Sequence, residues 1–506
     1  MPRLLLRCSP CGWVCLLVLV AAGCPRPSDP LPPPVQPNAA PSDSQGRDSA
    51  SPLRLLVVDD SQLAATLASE WRTISDEPLE VSHLSSAHVS DTPRLPPVDA
   101  VIYPVGLLGT LAEREQIVPL PDSVWNSERL DRRTLLEVPR KREAVWGEKT
   151  YAIPFGSPTP VLLYRADVFE RLKLTPPASW QEFQQVAERL GAREELGELA
   201  PAASESWNGV LEPLAAGSAA PALLLRAAAY VRHRNQYSTL FDFITMEPLI
   251  ESPPFVKALE ELVAAHSMNP GPALEWDEDA VRRELLAGRA GMVVSYPRPE
   301  PRRSSEEPSE DSPAPATTSP TSATFAVALL PGSTSAYNAS QKVWETRGED
   351  DSPYVPVFGL SGRLGSVTKS SRRGQAAANL LTMLSTADWS ARVLTASRGA
   401  GISRTSQLAT PDRWVDAPLA GDAARQYAER IRETQRSPAW LMVPRIPGRD
   451  RYLAALDEAV RAAVRGEQTP AEALSAAAAQ WKKITAELGP DSQKAAYRRC
   501  LGIDPS

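Results

Sequence analysis

Three features of the sequence predict an α/β fold. Strand-length apolar runs alternate with helix patterns, capping residues mark the helix starts, and 506 residues allow more than one domain. The first apolar run is Leu53–Val58, and Asp59-Asp60-Ser61 after it can cap a helix over residues 62–71. Residues 79–84 and 98–103 read as the second and third strands. Gly106, Gly109 and a helix ending near Gln116 follow. Strands separated by helices indicate parallel βαβ units. Short strands are expected at 151–155 and 161–164. Ser179 with Glu182 three residues on then has the spacing of a capping box, which satisfies otherwise orphaned N–H groups.

Later elements follow the same logic. Residues 292–296, 324–332 and 358–367 read as strands. The helix over 374–384 places Ala376, Ala377, Leu380, Leu381 and Leu384 on one face. The last third is helical: Leu453, Leu456, Val460 and Val464 form one stripe, and Gly466 ends that helix. Thr469-Pro470 with Glu472 restarts another. Residues 489–506 read as a frayed C-terminal tail.

The N-terminal residues read as processing signals. Arg3 and Arg7 precede an apolar run over 13–22 that is short for a bilayer span, so residues 1–23 are expected to be a signal peptide. Val20-Ala21-Ala22-Gly23-Cys24 resembles a bacterial lipobox, which makes Cys24 the expected lipidation site. Residues 24–52, rich in Pro, Ser, Ala and Asp, lack the apolar content to offset ordering entropy and read as a disordered tether. A similar segment, 298–322, lies between two strand runs and reads as a disordered insertion within a folded lobe. Of five cysteines, Cys8, Cys11 and Cys15 fall in the signal and Cys24 carries lipid, so Cys500 has no intrachain disulfide partner. The formal charge of −7 argues against a nucleic-acid partner.

Family likeness rests on several motifs in order. GEKTYAIPFGSPTPVLLYRADVF (147–169), followed by PPASWQEF, resembles the segment where the first lobe of bacterial extracellular solute-binding proteins (family 1, the maltose-binding type) crosses into the second. VDAVIYPVGLLGTLAEREQIVPL (98–120) is similar to that family's strand, ligand-facing loop and helix. FDFITMEPLIESPPFVKALEEL (241–262) and LLAGRAGMVVSY (285–296) resemble second-lobe elements. FAVALLPG (325–332) resembles the second hinge strand, and WLMVPRIPGRDRYLAALDEAVRAAVRGEQTPAEAL (440–474) the closing segment. The likeness covers about residues 53–488. The loop after Tyr103, residues 104–108, carries no charge and departs from the maltose-binding pattern.

This resemblance implies a two-lobed periplasmic-binding-protein-like (type II) fold with hinge-linked lobes. Its expected divisions are 53–158 for lobe 1, 159–328 for lobe 2, 329–410 for the rest of lobe 1 and 411–488 for the helical remainder of lobe 2. Crossings are expected at 155–159 and 325–330, with a third at 400–414. The resemblance further implies a binding protein, not an enzyme, with no cofactor. It would capture a small solute, in the family a carbohydrate, by lobe closure and deliver it to an ABC transporter permease. It would sit outside the cytoplasm, held to a membrane by its lipid.

In that family ligands lie at the carboxyl ends of strands, as in other open α/β sheets. The ligand-facing candidates are accordingly the aromatic residues Tyr103, Phe155, Trp207, Tyr296 and Trp440, with Asp60, Ser61, Ser157, Asn208 and Arg404 as polar partners. Flat rings suit pyranose C–H faces, while carboxylates, amides and arginine suit hydroxyls. Asp60 has an equally good structural role as a helix cap. His83, His88, His233 and His266 lack metal-ligand spacing, and no HExxH, CxxC or strand-following GxGxxG occurs. An orphan sensor or scaffold with the same fold is the alternative to transport; a secreted hydrolase, the less favoured alternative, would need a nucleophile or metal cluster, and none occurs at recognisable spacing.

Overall fold

Side-chain alternation along Leu53–Val58 puts Leu55 and Val57 on one face and Leu56 and Val58 on the other, and all four are fully buried. A strand covered on both faces belongs inside a largely parallel sheet. The computed structural model describes residues 51–503, apart from 237, 269–271, 300–322 and 349–350. The expected signal at 1–23, Cys24, nearly all of the 24–52 tether and most of the 298–322 insertion lie outside the described residues. Those described belong to one compact unit, Ala50–Ser506.

Two main sheets build this unit. In the first, the order is Leu79–Leu84, Leu53–Val58, Ala100–Pro104, Arg363–Val367 and Ile153–Pro154. Its first three strands are mutually parallel, and Arg363–Val367 runs antiparallel to both of its neighbours. The second sheet has the order Phe325–Ala328, Val161–Arg165, Ala290–Ser295 and Asn208–Leu211. Within it Asn208–Leu211 and Ala290–Ser295 are parallel, while Val161–Arg165 is antiparallel to Ala290–Ser295 and to Phe325–Ala328. The strand ends Val58, Pro104, Leu211 and Ser295 therefore mark the carboxyl edges of the two sheets.

Capping chemistry fixes several helix starts. The Asp60 carboxylate accepts from Leu63 N at 3.0 Å and opens the helix Ser61–Ile74. Thr469 and Glu472 form a complete capping box on Pro470–Leu488. At Ser179 the box is only half formed. Its hydroxyl accepts from Glu182 N, but the Glu182 carboxylate reaches past the cap to Ala178 N at 2.9 Å.

Chain crossings between the halves differ from expectation in one place. The first passes through residues 155–160, between Ile153–Pro154 of the first sheet and Val161–Arg165 of the second. Residues 325–330 do not leave the second half. Phe325–Ala328 stays in its sheet, and a hairpin of Ser335–Asn338 with Val343–Thr346 packs onto the helix Ala219–Val231. There Trp344 meets the Tyr230 ring at 5.9 Å, and the Glu345 carboxylate lies 3.0 Å from the His233 ring. The alternation in SAYN and VWET carries this hairpin; read without it, residues 329–352 fall wrongly into the first lobe. The true return runs through residues 353–362, where Val357–Phe358 pairs with Leu441–Met442 before the turn into Arg363.

A third crossing lies between residues 405 and 416. Thr405 N donates to Thr134 O in the first half, while Asp416 binds Arg282 of the second. The helices Asp422–Arg436 and Arg449–Val464 belong to the second half: Gln426 accepts from Val327 N, and Asp457 accepts from Gly217 N and Ala220 N. Residues beyond 488 are not a frayed tail. Pro490–Leu501 is a helix that buries Ala496, Tyr497 and Cys500 and pairs Arg499 with Glu113 at 2.6 Å. Proline at its start and the Tyr497 packing against Phe241 (5.5 Å between rings) explain its order. Nor do the halves have wholly separate cores. One apolar cluster joins Leu56 and Tyr103 to Leu162 and Met292, and another joins Leu55 and Ile102 to Leu163 and Val293.

Candidate functional site

A cleft of 700 Å³ opens between the halves, beside the carboxyl edges of both sheets. Its size is that of a small-molecule site. Gln62, from the start of the first helix, and residues 394–398 and 400–402 line it from the first half. Asp279, Arg282, Arg283, Tyr296, Arg298, Trp414 and Asp416 line it from the second, and Pro158 and Tyr427 from the hinge side. A groove of similar volume, 760 Å³, lies on the outer C-terminal helices, away from both sheet edges.

Tyr296 follows Ser295 directly, so the strand ending there delivers its ring to the cleft. Burial raises its hydroxyl pKa to about 12, although Arg298 opposes the shift, so the phenol stays protonated at neutral pH. The Arg298 guanidinium lies 5.3 Å from the ring centroid. Tyr427 donates to Thr159 O at 3.3 Å and is likewise pushed up by burial. Arg282 is held by Asp416 at 3.0 Å and Asp279 at 2.8 Å. Burial disfavours the Asp279 carboxylate, but Arg298, Arg282 and Arg398 together outweigh it and hold its pKa below the ordinary value. The arrangement offers rings, hydroxyls and guanidinium groups. Among the described residues no group of three or more His, Cys, Asp and Glu could hold a metal ion.

Of the ten residues chosen from sequence, Tyr296 alone lines this cleft. Tyr103 is fully buried, with its hydroxyl 2.7 Å from Ser366 Oγ, so it is a core residue rather than a ligand platform. Phe155 is also core, its ring edge lying against Gly365. Asp60 caps its helix and binds Arg363 at 3.2 Å and the Ser397 hydroxyl at 2.5 Å, so its acceptors are taken. Ser61 is exposed outside the cleft lining. Ser157 donates to the buried Glu143 carboxylate at 2.5 Å and lines a separate, narrower space of 20 Å³ at the hinge.

Trp207 and Asn208 stand at the amino end of their strand, the edge opposite the cleft. Trp207 donates its indole N–H to Leu190 O, and Asn208 N pairs with Arg289 O. Arg404 is buried among Ser385 O, Leu130 O and Thr134 and knits the first half together. Trp440 lies under the Arg142 guanidinium, 4.6 Å from its ring centroid, and does not reach the cleft. Sequence reasoning missed Arg282, Arg298, Arg398, Trp414 and Asp416. Tyr-Pro-Arg after a strand marked one of them; the others come from helix and loop positions with no periodic signal.

Glu143 ties two crossings together. Its carboxylate accepts from Ser157 on the first and from Gly359 N (3.3 Å) on the second, and burial raises its pKa. Arg445 donates to the carbonyls of Arg142 and Glu143 beside it.

Residues 96–333 match the family model of bacterial extracellular solute-binding proteins. Among solved structures, the ABC transporter solute-binding protein of Agrobacterium radiobacter K84 in complex with ribitol superposes with a TM-score of 0.59 at 18% identity, covering 86% of this chain and 98% of that one. A Thermotoga lettingae TMO solute-binding protein bound with α-D-tagatose gives 0.58 at 17% identity, over 86% of this chain and 100% of that one. Maltose-bound MalE3 of T. maritima gives 0.57 at 16% identity, over 85% and 99%. At these identities the likeness shows the two-lobed fold. Among curated proteins none matches this sequence.

Proposed function

We propose that this chain, residues 96–333 of which match the bacterial extracellular solute-binding protein family, captures a carbohydrate or polyol between its halves and presents it to an ABC transporter permease. The cleft at the carboxyl edges of both sheets, with Tyr296 on its wall, carries this reading. Solute bound to one half gains contacts from the other on closure, which shifts the population toward the closed form. No side chain is required to do chemistry; the protein binds and releases. The ligands bound in the structural relatives, ribitol, α-D-tagatose and maltose, support the solute class.

From that family match we infer that the protein works outside the cytoplasm. We read Cys24 as its lipid anchor and 24–52 as its tether. No helix among the described residues is long and apolar enough to cross a membrane. Radiolabelled palmitate should enter the expressed protein and be lost from Cys24→Ser; labelling that survives the substitution rejects the anchor.

Calorimetry with sugars and polyols tests the binding role. Tyr296→Ala should weaken the best ligand about tenfold, the cost of losing one aromatic contact face. Absence of heat and of thermal stabilisation with every member of the panel would defeat the reading.

A further inference from the structure

The charge in the cleft does not balance. Four guanidinium groups, those of Arg282, Arg283, Arg298 and Arg398, line it with two carboxylates, Asp279 and Asp416. Both acids are already engaged. Asp416 accepts from Arg282 Nε at 3.0 Å and from Arg298 N at 2.9 Å, and Asp279 pairs with Arg282 at 2.8 Å and Arg298 at 3.4 Å. Arg398 is left with only a distant contact to Asp279, at 3.8 Å, and its side chain is 74% exposed. Arg283 is exposed and forms no ion pair among the described residues. Other acids nearby do not correct the excess. Glu278 is bonded to the Ser218 hydroxyl and burial raises its pKa, while Asp60 is taken by Arg363.

Resting on the carbohydrate reading above, we infer that the preferred solute bears an anionic group, as in a sugar acid or a sugar phosphate, seated on Arg283, Arg298 and Arg398 beside Tyr296. Guanidinium groups present forked N–H donors that match carboxylate and phosphate oxygens, and such charge-assisted bonds are the stronger ones. A neutral polyol would leave the excess positive charge of the cleft with solvent as its only partner. An anion answers it without breaking either Arg282 ion pair. The hydroxyl-bearing remainder of the solute would face Tyr296, Trp414 and Gln62.

Calorimetry on the purified protein with matched pairs decides the matter: ribitol against ribitol 5-phosphate, mannitol against mannitol 1-phosphate, and glucose against both glucuronate and glucose 6-phosphate. The anionic member should bind about tenfold to a hundredfold tighter, with the gap shrinking as salt rises. Arg283→Gln and Arg398→Gln should each narrow that gap. Preference for carboxylate or for phosphate identifies the source of the anion, and either supports the inference. Neutral members that bind as tightly or more tightly overturn it while leaving the carbohydrate reading intact. Inorganic phosphate binding as tightly as the sugar phosphate overturns it, since the sugar would then be irrelevant. Silence across the whole panel overturns both.

Discussion

Glu212→Ala is expected to lower the unfolding free energy by about 3–5 kcal/mol, the cost of stranding one partner of a buried ion pair. Glu212 follows the Asn208–Leu211 strand at its carboxyl end and binds Arg226 of the Ala219–Val231 helix at 2.5 Å. Arg226 is fully buried, with Trp180 at 4.1 Å and Phe183 at 5.1 Å from its guanidinium. The next carboxylate, Glu261, is 4.0 Å away and also accepts from Tyr230 at 2.7 Å. Without Glu212 the cation keeps its burial and loses its closest compensation. Urea unfolding at unchanged slope measures the loss. A loss under about 1 kcal/mol would mean that Glu261 or water replaces the partner at little cost.

Replacing both partners is a different experiment. Glu212→Leu with Arg226→Met removes the desolvated charges together and should recover most of the stability, because an apolar pair of similar volume has no ionic desolvation to offset. The pair would then be a matter of register, locking strand to helix, rather than of net stability. This contrast separates a structural charge from the cleft arginines Arg283 and Arg398, whose partners are fewer and whose exposure is greater.

Sequence made the skeleton legible where local chemistry acts alone. Thr469 with Glu472, the strand Leu79–Leu84 and the helix Gly374–Leu384 required only neighbouring residues to identify. The edges of the sheets were legible too, since Tyr296 follows a fully buried strand and enters the cleft. What failed was the assignment of side chains near those edges. Tyr103 ends a strand at the correct edge, yet Ser366 across the sheet takes its hydroxyl. Asp60 stands just past another such end, yet Arg363, some three hundred residues on, claims its carboxylate. Trp207 and Asn208 fall at the edge away from the cleft because the direction of their strand is set by its pairing with Ala290–Ser295. Partners distant in sequence decide these positions, and no local pattern encodes them.

Gly401→Ala should lower stability by about 1–3 kcal/mol and weaken solute binding as well, because the added methyl meets backbone, not movable side chain. A Cβ there would lie 2.2 Å from Ser157 C and 2.4 Å from Pro158 N. Gly156, with φ +87, faces it in return: its own Cβ would lie 2.1 Å from Gly401 O. The two glycines thus let the first crossing and the segment leading into the third touch along their main chains. Forcing them apart moves Pro158 and Gly401, which both line the cleft, so the damage cannot be confined to the hinge. Gly374→Ala serves as the control. Its Cβ would meet Val367 at an ordinary 3.7 Å, on a helix where alanine is favoured. Chemical denaturation and calorimetry with the best solute should show Gly401→Ala impaired in both and Gly374→Ala in neither. Wild-type stability and affinity in Gly401→Ala would show that the crossings can separate freely, and that close main-chain contact is not what positions the halves.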